Sequence, residues 1–190
     1  MKKTAIILSL ALSVCLATTA RAQKQTLTVD AGQSQVSFSL GGNTHHVNGL
    51  FHVKSGSVDF DAAAGQISGL VVVAAGSGDS GDKGRDKKMN SDVLESEKFA
   101  EISFAPKSYQ GKLAVSGDST IQVSGTFTLH GGTHEITVPL QVHIDGGAAT
   151  AKGKFSVPYV QWGLKDPSWM VLKVAKEVEI DLTLTGKLSK

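Results

Sequence analysis

The chain is dominated by an alternation of apolar and polar residues, a pattern typical of a β-sheet with one buried face. In the clearest run, residues 121–129, an apolar residue or a glycine occupies every second position. Residues 36–40, 136–144 and 178–184 show the same period of two. Because successive side chains of a strand point to opposite faces, each run predicts a β-strand with one buried and one solvated face.

Shorter segments extend this pattern, and one segment interrupts it. Further strand candidates of the same character lie at residues 27–30, 47–53, 56–60, 66–75, 102–109 and 149–157. Residues 82–98 are rich in charge instead, and Met89, Val93 and Leu94 fall on roughly one helical face. This segment predicts one or two short helices that connect two strands.

About eight one-sided strands in one domain must bury their apolar faces together. The chain shows no repeated strand–helix alternation, so an antiparallel sheet is favoured over a parallel one. Closing the sheet into a barrel buries one face and removes the exposed strand edges. A two-sheet sandwich is the alternative, and periodicity alone does not separate the two. The long strands that end at Ile144 and Leu184 favour the barrel. We therefore predict an all-β fold, an antiparallel barrel of about eight strands.

The first 22 residues have the three parts of a secretory signal peptide in the correct order. Lys2 and Lys3 form a basic start, residues 5–16 are an apolar core, and Ala20-Arg21-Ala22 is a cleavage motif. We expect residues 1–22 to be removed and residues 23–190 to form one domain, located in the bacterial periplasm or secreted. A lipid-modified Cys15 is the alternative.

Charge and cysteine content exclude several classes of function. Removal of Lys2, Lys3 and Arg21 leaves 16 of the 19 basic residues beside 17 acidic ones. This balance argues against an electrostatic nucleic-acid binder. The single cysteine, Cys15, leaves with the signal segment, so the mature chain has no disulfide, thiol nucleophile or cysteine metal site. No apolar run reaches the roughly 18 residues of a membrane-spanning helix.

Two glycine motifs are better explained as turns than as active sites. Residues 76–81 match the dinucleotide-binding pattern G-x-G-x-x-G, but no series of parallel strands and helices surrounds them. Residues 78–81 look like the nucleophile segment of trypsin-like proteases, but the upstream chain is too short for the rest of that architecture. We therefore predict no catalytic residue.

The six histidines do not show the spacing of a metal site. Adjacent His45 and His46 would point to opposite faces of a strand, and His52 is six residues further on. His130 and His134 flank a glycine turn. Zinc needs three or four convergent ligands, so we predict no metal site.

Several short motifs occur in a shared order. The sequence carries Asp30-x-x-x-Ser34-x-Val36-x-Phe38, then Val47-x-Gly49-x-Phe51, then Arg85-Asp86 followed by Met89, Ser91, Phe99, Ile102 and Phe104, then Ser124-Gly125-x-Phe127-Thr128-Leu129-His130-Gly131-x-Thr133. In this order and spacing, the chain resembles the YceI-like family of exported polyisoprenoid-binding proteins over residues 27–188. Gln33, Ala100 and the segment 162–168 depart from the family pattern, which indicates a divergent member.

The resemblance implies a lipocalin-like barrel that encloses an apolar tunnel. The implied function is non-catalytic binding or transport of a long-chain isoprenoid, quinone-like or polyprenyl, or of a fatty acyl lipid. No covalent cofactor is expected, transient contact with a membrane is compatible with this role, and the oligomeric state stays open. The alternative is a structural or stress-related interaction module whose barrel core is filled by its own side chains, and a secreted hydrolase comes third.

Bulky residues on the predicted inward faces, or near the mouth, are the candidates for the tunnel lining. They are Phe38, Leu40, Phe51, Phe104, Phe127 and Trp162. Arg85 and His130 are the candidates for holding a polar head group at the mouth.

Signal cleavage gives the first testable prediction. We expect the exported protein to begin at Gln23 and to contain no cysteine, which N-terminal sequencing and the intact mass will show. Retention of Met1 in the exported form would contradict the prediction. A lipid-modified Cys15 would support the membrane-anchored alternative.

Overall fold

A computed structural model describes residues 24–43, 46–170 and 173–190. The predicted signal segment and His45 lie outside these residues. Within them are ten strands: β1 Lys24–Val29, β2 Gln35–Leu40, β3 Val47–Phe51, β4 Val53–Asp61, β5 Gln66–Ala74, β6 Glu101–Gly111, β7 Gly117–Leu129, β8 Gly132–Asp145, β9 Ala148–Val157 and β10 Val178–Ser189. A short helix, α1, spans Lys83–Lys88. None of the described helices is long and apolar enough to cross a membrane.

The ten strands form eight antiparallel positions around a closed barrel. β1 pairs with the C-terminal half of β10, with Val29 opposite Gly186, and β2 pairs with the N-terminal half, with Phe38 opposite Ile180. On the side away from β10, β3 pairs with β2 and β4 pairs with β1. The remaining strands pair in chain order from β4 to β10. The structure therefore confirms the predicted antiparallel barrel and excludes the sandwich.

The seam of the barrel contains the first of the sequence motifs. The carboxylate of Asp30 accepts hydrogen bonds from the backbone N–H groups of Gly32 and Gln33, which stabilises a turn between β1 and β2. The N–H of Asp30 donates to the carbonyl of Thr185, and the N–H of Thr185 donates to the Ser34 hydroxyl at 3.0 Å. Asp30 and Ser34 therefore join the first strands to the last one where the pairing is interrupted.

Inward-facing side chains form two buried clusters, one at each end of the barrel. The lower cluster is built around Leu27, Val29, Val53, Phe60, Leu113, Ile121, Val123, Ile144 and Ala149. The upper cluster is built around Phe38, Phe51, Leu94, Leu129, Val157, Tyr159 and Leu164. Leu113, from the loop between β6 and β7, is buried in the lower cluster, so apolar packing closes the lower end.

Two insertions form a cap over the upper end. The first, residues 75–100, contains α1, which begins where Asp82 accepts a hydrogen bond from the N–H of Arg85. A single wide turn at Met89–Val93 follows, and Met89, Val93 and Leu94 pack against the upper cluster as their predicted common face requires. The second insertion follows β9. Its Lys165 lies 3.4 Å from Asp92 of the first, so the two insertions contact each other.

Gly125 on β7 occupies a position that has no room for a side chain. A Cβ there would lie 2.3 Å from the carbonyl oxygen of Ala105 and 2.9 Å from the Phe104 ring. We expect Gly125→Ala to lower the free energy of unfolding by about 1–3 kcal/mol, because overpacking forces the neighbouring strand to shift. Gly76→Ala is the control, since its nearest contact would be an ordinary 3.5 Å. Urea denaturation measures both, and equal stability of the two variants would contradict the prediction.

Candidate ligand-binding site at the upper mouth of the barrel

The barrel wall is incomplete between β8 and β9 at the upper end. The pairing of these strands runs from Asp145 opposite Ala148 to Leu140 opposite Gly153. It stops one residue short of Pro139, which has no N–H to donate to a neighbouring strand. Among the described strands, residues 132–139 of β8 therefore pair with β7 alone.

Trp162 bridges this gap in the wall. The chain turns directly after β9, and the indole ring of Trp162 stacks on the imidazole of His134 in β8, with centroids 3.9 Å apart and planes 4° apart. The same indole lies 5.8 Å from the Phe127 ring, and Phe127 is the cross-strand partner of His134. Phe155 of β9 contacts Phe127 edge-on at 6.1 Å. An aromatic cluster therefore lines the side of the mouth formed by β7, β8 and β9.

Within the part of the chain that the structure describes, two polar atoms are buried at this end without a hydrogen-bond partner. They are the Nε2 atom of His134 and the Oδ1 atom of Asn90. His134 points inward, because its neighbours Thr133 and Glu135 on β8 are exposed. Asn90 belongs to the wide turn whose Met89 and Val93 pack on the upper cluster. Buried polar atoms of this kind are destabilising and uncommon in folded proteins.

A belt of inward apolar residues, from the middle of the barrel to its upper mouth, retains accessible surface. Inward residues of the lower part of β7 are almost fully buried, with Ile121 at 3% and Val123 at 1% exposure. Other inward side chains in the middle of the barrel and near the mouth are only partly buried, namely Phe104, Phe127, Phe155, Ile180, Leu182 and Leu184. Five of these six side chains pack against one of the two clusters and still retain accessible surface, unlike the filled core around Ile121 and Val123.

The predicted lining residues fall into two groups. Phe38 and Phe51 are buried, with 6% and 8% exposure, and their rings contact each other at 5.3 Å within the upper cluster. The partly buried ones are Leu40, Phe104, Phe127 and Trp162. Phe104 packs against the lower cluster, and the other five belong to the upper cluster or pack against it. Their contact with a ligand stays a prediction.

The two predicted head-group residues lie at the upper end but have partners within the protein. Arg85 is exposed on α1, and its guanidinium donates to the hydroxyl of Ser80 at 2.7 Å and to the carbonyl of Ser80 at 2.8 Å. His130, with φ of 52°, forms a close contact with the Glu95 carboxylate, and the Phe99 ring packs on it at 4.3 Å. Their role toward a ligand stays a prediction.

The glycine motifs at residues 76–81 hold the cap together and join it to the barrel wall. Ser80, in the protease-like segment, bonds to Asp86 and Arg85, and Asp79 exchanges backbone hydrogen bonds with Leu50 of β3. Within residues 24–43, 46–170 and 173–190, no three metal-ligating side chains converge on a common point. A hollow of about 490 Å³ lies on the outer wall beside the exposed Leu50.

Tyr159 anchors the second insertion to the barrel. Its hydroxyl donates to the carbonyl of Ala175 at 2.7 Å, and its side chain is buried in the upper cluster. Burial, with a smaller contribution from the Asp166 carboxylate, raises the pKa of Tyr159 to about 12. At the contact between the two insertions, the Ser91 hydroxyl and then Lys165 lower the pKa of Asp92. The cap is therefore tied down at two points.

Comparison with known proteins supplies a family and a set of structural neighbours. A profile of the YceI-like domain matches residues 27–186. No curated protein sequence matches the chain significantly. BcnA of Burkholderia cenocepacia superposes with a TM-score of 0.69 and 23% identity, over 84% of this chain and 99% of BcnA.

Two further solved structures have the same fold. One is a polyisoprenoid binding domain from Saccharophagus degradans implicated in plant cell wall breakdown. It has a TM-score of 0.67 and 19% identity, over 86% of this chain and 98% of the domain. The other, the Campylobacter jejuni YCEI protein, has a TM-score of 0.52 and 16% identity, over 77% and 85%. At these identities the similarity establishes the fold.

The two tyrosines of the chain allow a direct test of the anchored cap. Tyr109, shifted mainly by burial, also has a raised pKa, so we expect no phenol to ionise at the usual pH near 10. Tyr159 should ionise near pH 12, and Tyr159→Phe should remove that step from an absorbance titration at high pH. Because the folded-state pKa is raised, this residue's contribution to stability is complete below pH 10 and is lost as the pH rises toward 12. Ionisation of both tyrosines near pH 10 would contradict the anchoring.

Proposed function

The chain belongs to the YceI-like domain family, and on that premise we propose that its barrel binds a long apolar chain, an isoprenoid or another lipid, without catalysing a reaction. The proposal places the apolar ligand along the belt, with one end of the ligand at the upper mouth. The partly buried inward belt is the observation that carries it, because these side chains retain apolar surface that a ligand can cover.

The energetics of transfer favour a ligand of this kind. Each methylene group that leaves water for an apolar surface contributes roughly 0.8 kcal/mol. The inward positions that border the belt are phenylalanine, leucine and isoleucine. Strands whose inward faces are lined in this way provide apolar contact without any reactive group. The neighbour from Saccharophagus degradans is described as a polyisoprenoid binding domain, which supports an isoprenoid chain as the preferred class.

A filled barrel that serves as an interaction module is the second candidate. The packed rings of Phe38 and Phe51 favour it at the upper end, because they already fill part of the interior. Mass spectrometry of an organic extract from the natively purified protein separates the two candidates. A stoichiometric apolar compound supports the lipid-binding proposal, and its absence, together with failure to bind added isoprenoid, supports the interaction module.

We also propose that the mature protein acts in the periplasm or outside the cell, where it would carry its ligand between membranes. The signal-like residues 1–22 support this location. Near the upper mouth, Trp169 and Met170 are 72% and 69% exposed. Amphipathic and apolar side chains of this type partition into membrane interfaces, which supports transient membrane contact during loading.

A substitution in the belt tests the proposal. Leu182 points inward, is partly buried, and lies opposite Gly153 of β9. Leu182→Trp should fill the proposed ligand space, so it should weaken binding of a fluorescent isoprenoid analogue more than tenfold. In the ligand-free protein, the melting temperature should change little, because the added volume occupies existing space rather than a packed core.

Thr183→Trp is the matched control, since the next residue on the same strand points outward. It should leave binding unchanged. If Leu182→Trp lowers the melting temperature strongly and binding is retained, Leu182 lies in a packed core and the ligand is not in the belt. If the unmodified protein binds no long apolar chain, the lipid-binding proposal is wrong.

A further inference from the structure

His134 is a polar residue at an inward position of β8, where an apolar side chain is expected. Among the described strand residues, the other inward positions at the upper mouth are apolar or aromatic. Trp162 stacks on the His134 ring, and Phe127 lies opposite it on β7. A phenylalanine would preserve this packing and would leave no buried Nε2 atom without a partner. The imidazole therefore provides a buried hydrogen-bonding group at a cost in stability.

The structure points to a polar subsite. We infer that His134, with Asn90 of the cap, recognises a neutral, hydroxyl-bearing head group on the apolar ligand. This inference rests on the proposed function and adds the chemistry of the head group to it. The apolar chain occupies the belt, and the hydroxyl lies at the mouth within reach of the imidazole.

Hydrogen-bonding capacity favours a head group that can both donate and accept, as a hydroxyl does. The Oδ1 atom of Asn90 can only accept a hydrogen bond, whereas Nε2 of a neutral imidazole donates or accepts according to its tautomer. A hydroxyl both donates and accepts, so it can satisfy either atom. A carbonyl or an ether oxygen only accepts, and it would leave the Asn90 oxygen without a donor.

Charge argues against a phosphorylated head group. Phosphate sites in proteins are built from arginine or lysine side chains, helix N-termini or nests of backbone N–H groups. The basic residues of the cap are all exposed on its surface. Two of them also have partners within the protein, since Arg85 donates to Ser80 and Lys165 faces Asp92. Among the described residues, the charged side chain that is buried is an acid, Asp61, at the lower end of the barrel.

The aromatic stack fixes the direction of the imidazole. Coplanar contact with the Trp162 indole restricts rotation of the His134 ring, and the inward orientation of β8 aims the ring into the mouth. A donor or acceptor held in one direction discriminates between head groups better than a mobile one, because less conformational entropy is lost on binding.

Binding of matched ligands tests the inference. Geranylgeraniol, the hydrocarbon of the same chain and geranylgeranyl monophosphate are titrated against the wild-type protein and His134→Phe. The measured quantity is the ratio of the dissociation constants of the alcohol and the hydrocarbon, because the cost of dehydrating the alcohol is common to both proteins. We expect this ratio to shift by roughly tenfold in favour of the hydrocarbon in the variant, which corresponds to about 1.4 kcal/mol. The phosphate should bind the wild type more weakly than the alcohol.

A stability measurement gives a second, independent readout. In the ligand-free protein, His134→Phe should raise the melting temperature by about 2–4 °C, because an apolar ring replaces an unsatisfied polar one. His143→Phe is the control: it lies on the same strand, but its ring is exposed and paired with Asp118. It should change neither the ligand ratio nor the melting temperature. Asn90→Leu should also shift the ratio toward the hydrocarbon and leaves the barrel wall intact.

Each other outcome has a distinct meaning. If the wild type and His134→Phe show the same ratio while both bind the hydrocarbon, head-group recognition by His134 is wrong and the lipid-binding proposal stands. If the variant unfolds or melts at a lower temperature, Nε2 has a structural role and the inference is overturned. Preference of the wild type for the phosphate overturns the neutral head group. If the wild type binds neither the alcohol nor the hydrocarbon, the proposed function itself fails.

Discussion

Hydrogen bonding between the first and the last strands is the constraint on which the rest of the molecule depends. β10 pairs with β9 along one side and with β1 and β2 in turn along the other. Where β1 gives way to β2, Asp30 and Ser34 bond to Thr185 and maintain the connection. This closure gives the chain an inside, so that alternating apolar residues face one another across an enclosed space rather than across a second sheet.

The strands were predictable because their signal is local. Alternation placed all ten strands to within a few residues, and the common face of Met89, Val93 and Leu94 identified the segment that packs on the upper cluster. The site was less predictable because it depends on distant contacts. The sequence analysis placed His134 beside a glycine turn, because the alternation was read only from residue 136, whereas β8 begins at Gly132 and carries His134 on its inward face. The stack on Trp162 and the isolation of Nε2 follow from a turn 28 residues away.

Arg85 and His130 also show that contacts between distant residues could not be predicted from the sequence. Both are polar residues near the mouth, as the sequence suggested, but the structure gives them partners in Ser80 and Glu95. Whether a polar side chain is free to meet a ligand depends on which neighbours the cap brings to it, and a single sequence does not contain that information. The incomplete pairing of β8 and β9 could be anticipated only from Pro139, whose missing N–H weakens a strand without showing where the ladder ends.

The packed lower end gives the proposed container a single opening, and this governs how a long chain would exchange. A ligand that enters such a container tail first must leave head first, so its head group is the first part available to a recipient membrane. Each methylene group withdrawn into water costs about 0.8 kcal/mol, and if the whole tail must emerge before release, each added methylene slows departure roughly fourfold. In such a carrier, the length of the tail sets the residence time, while the residues at the mouth determine which molecules are retained.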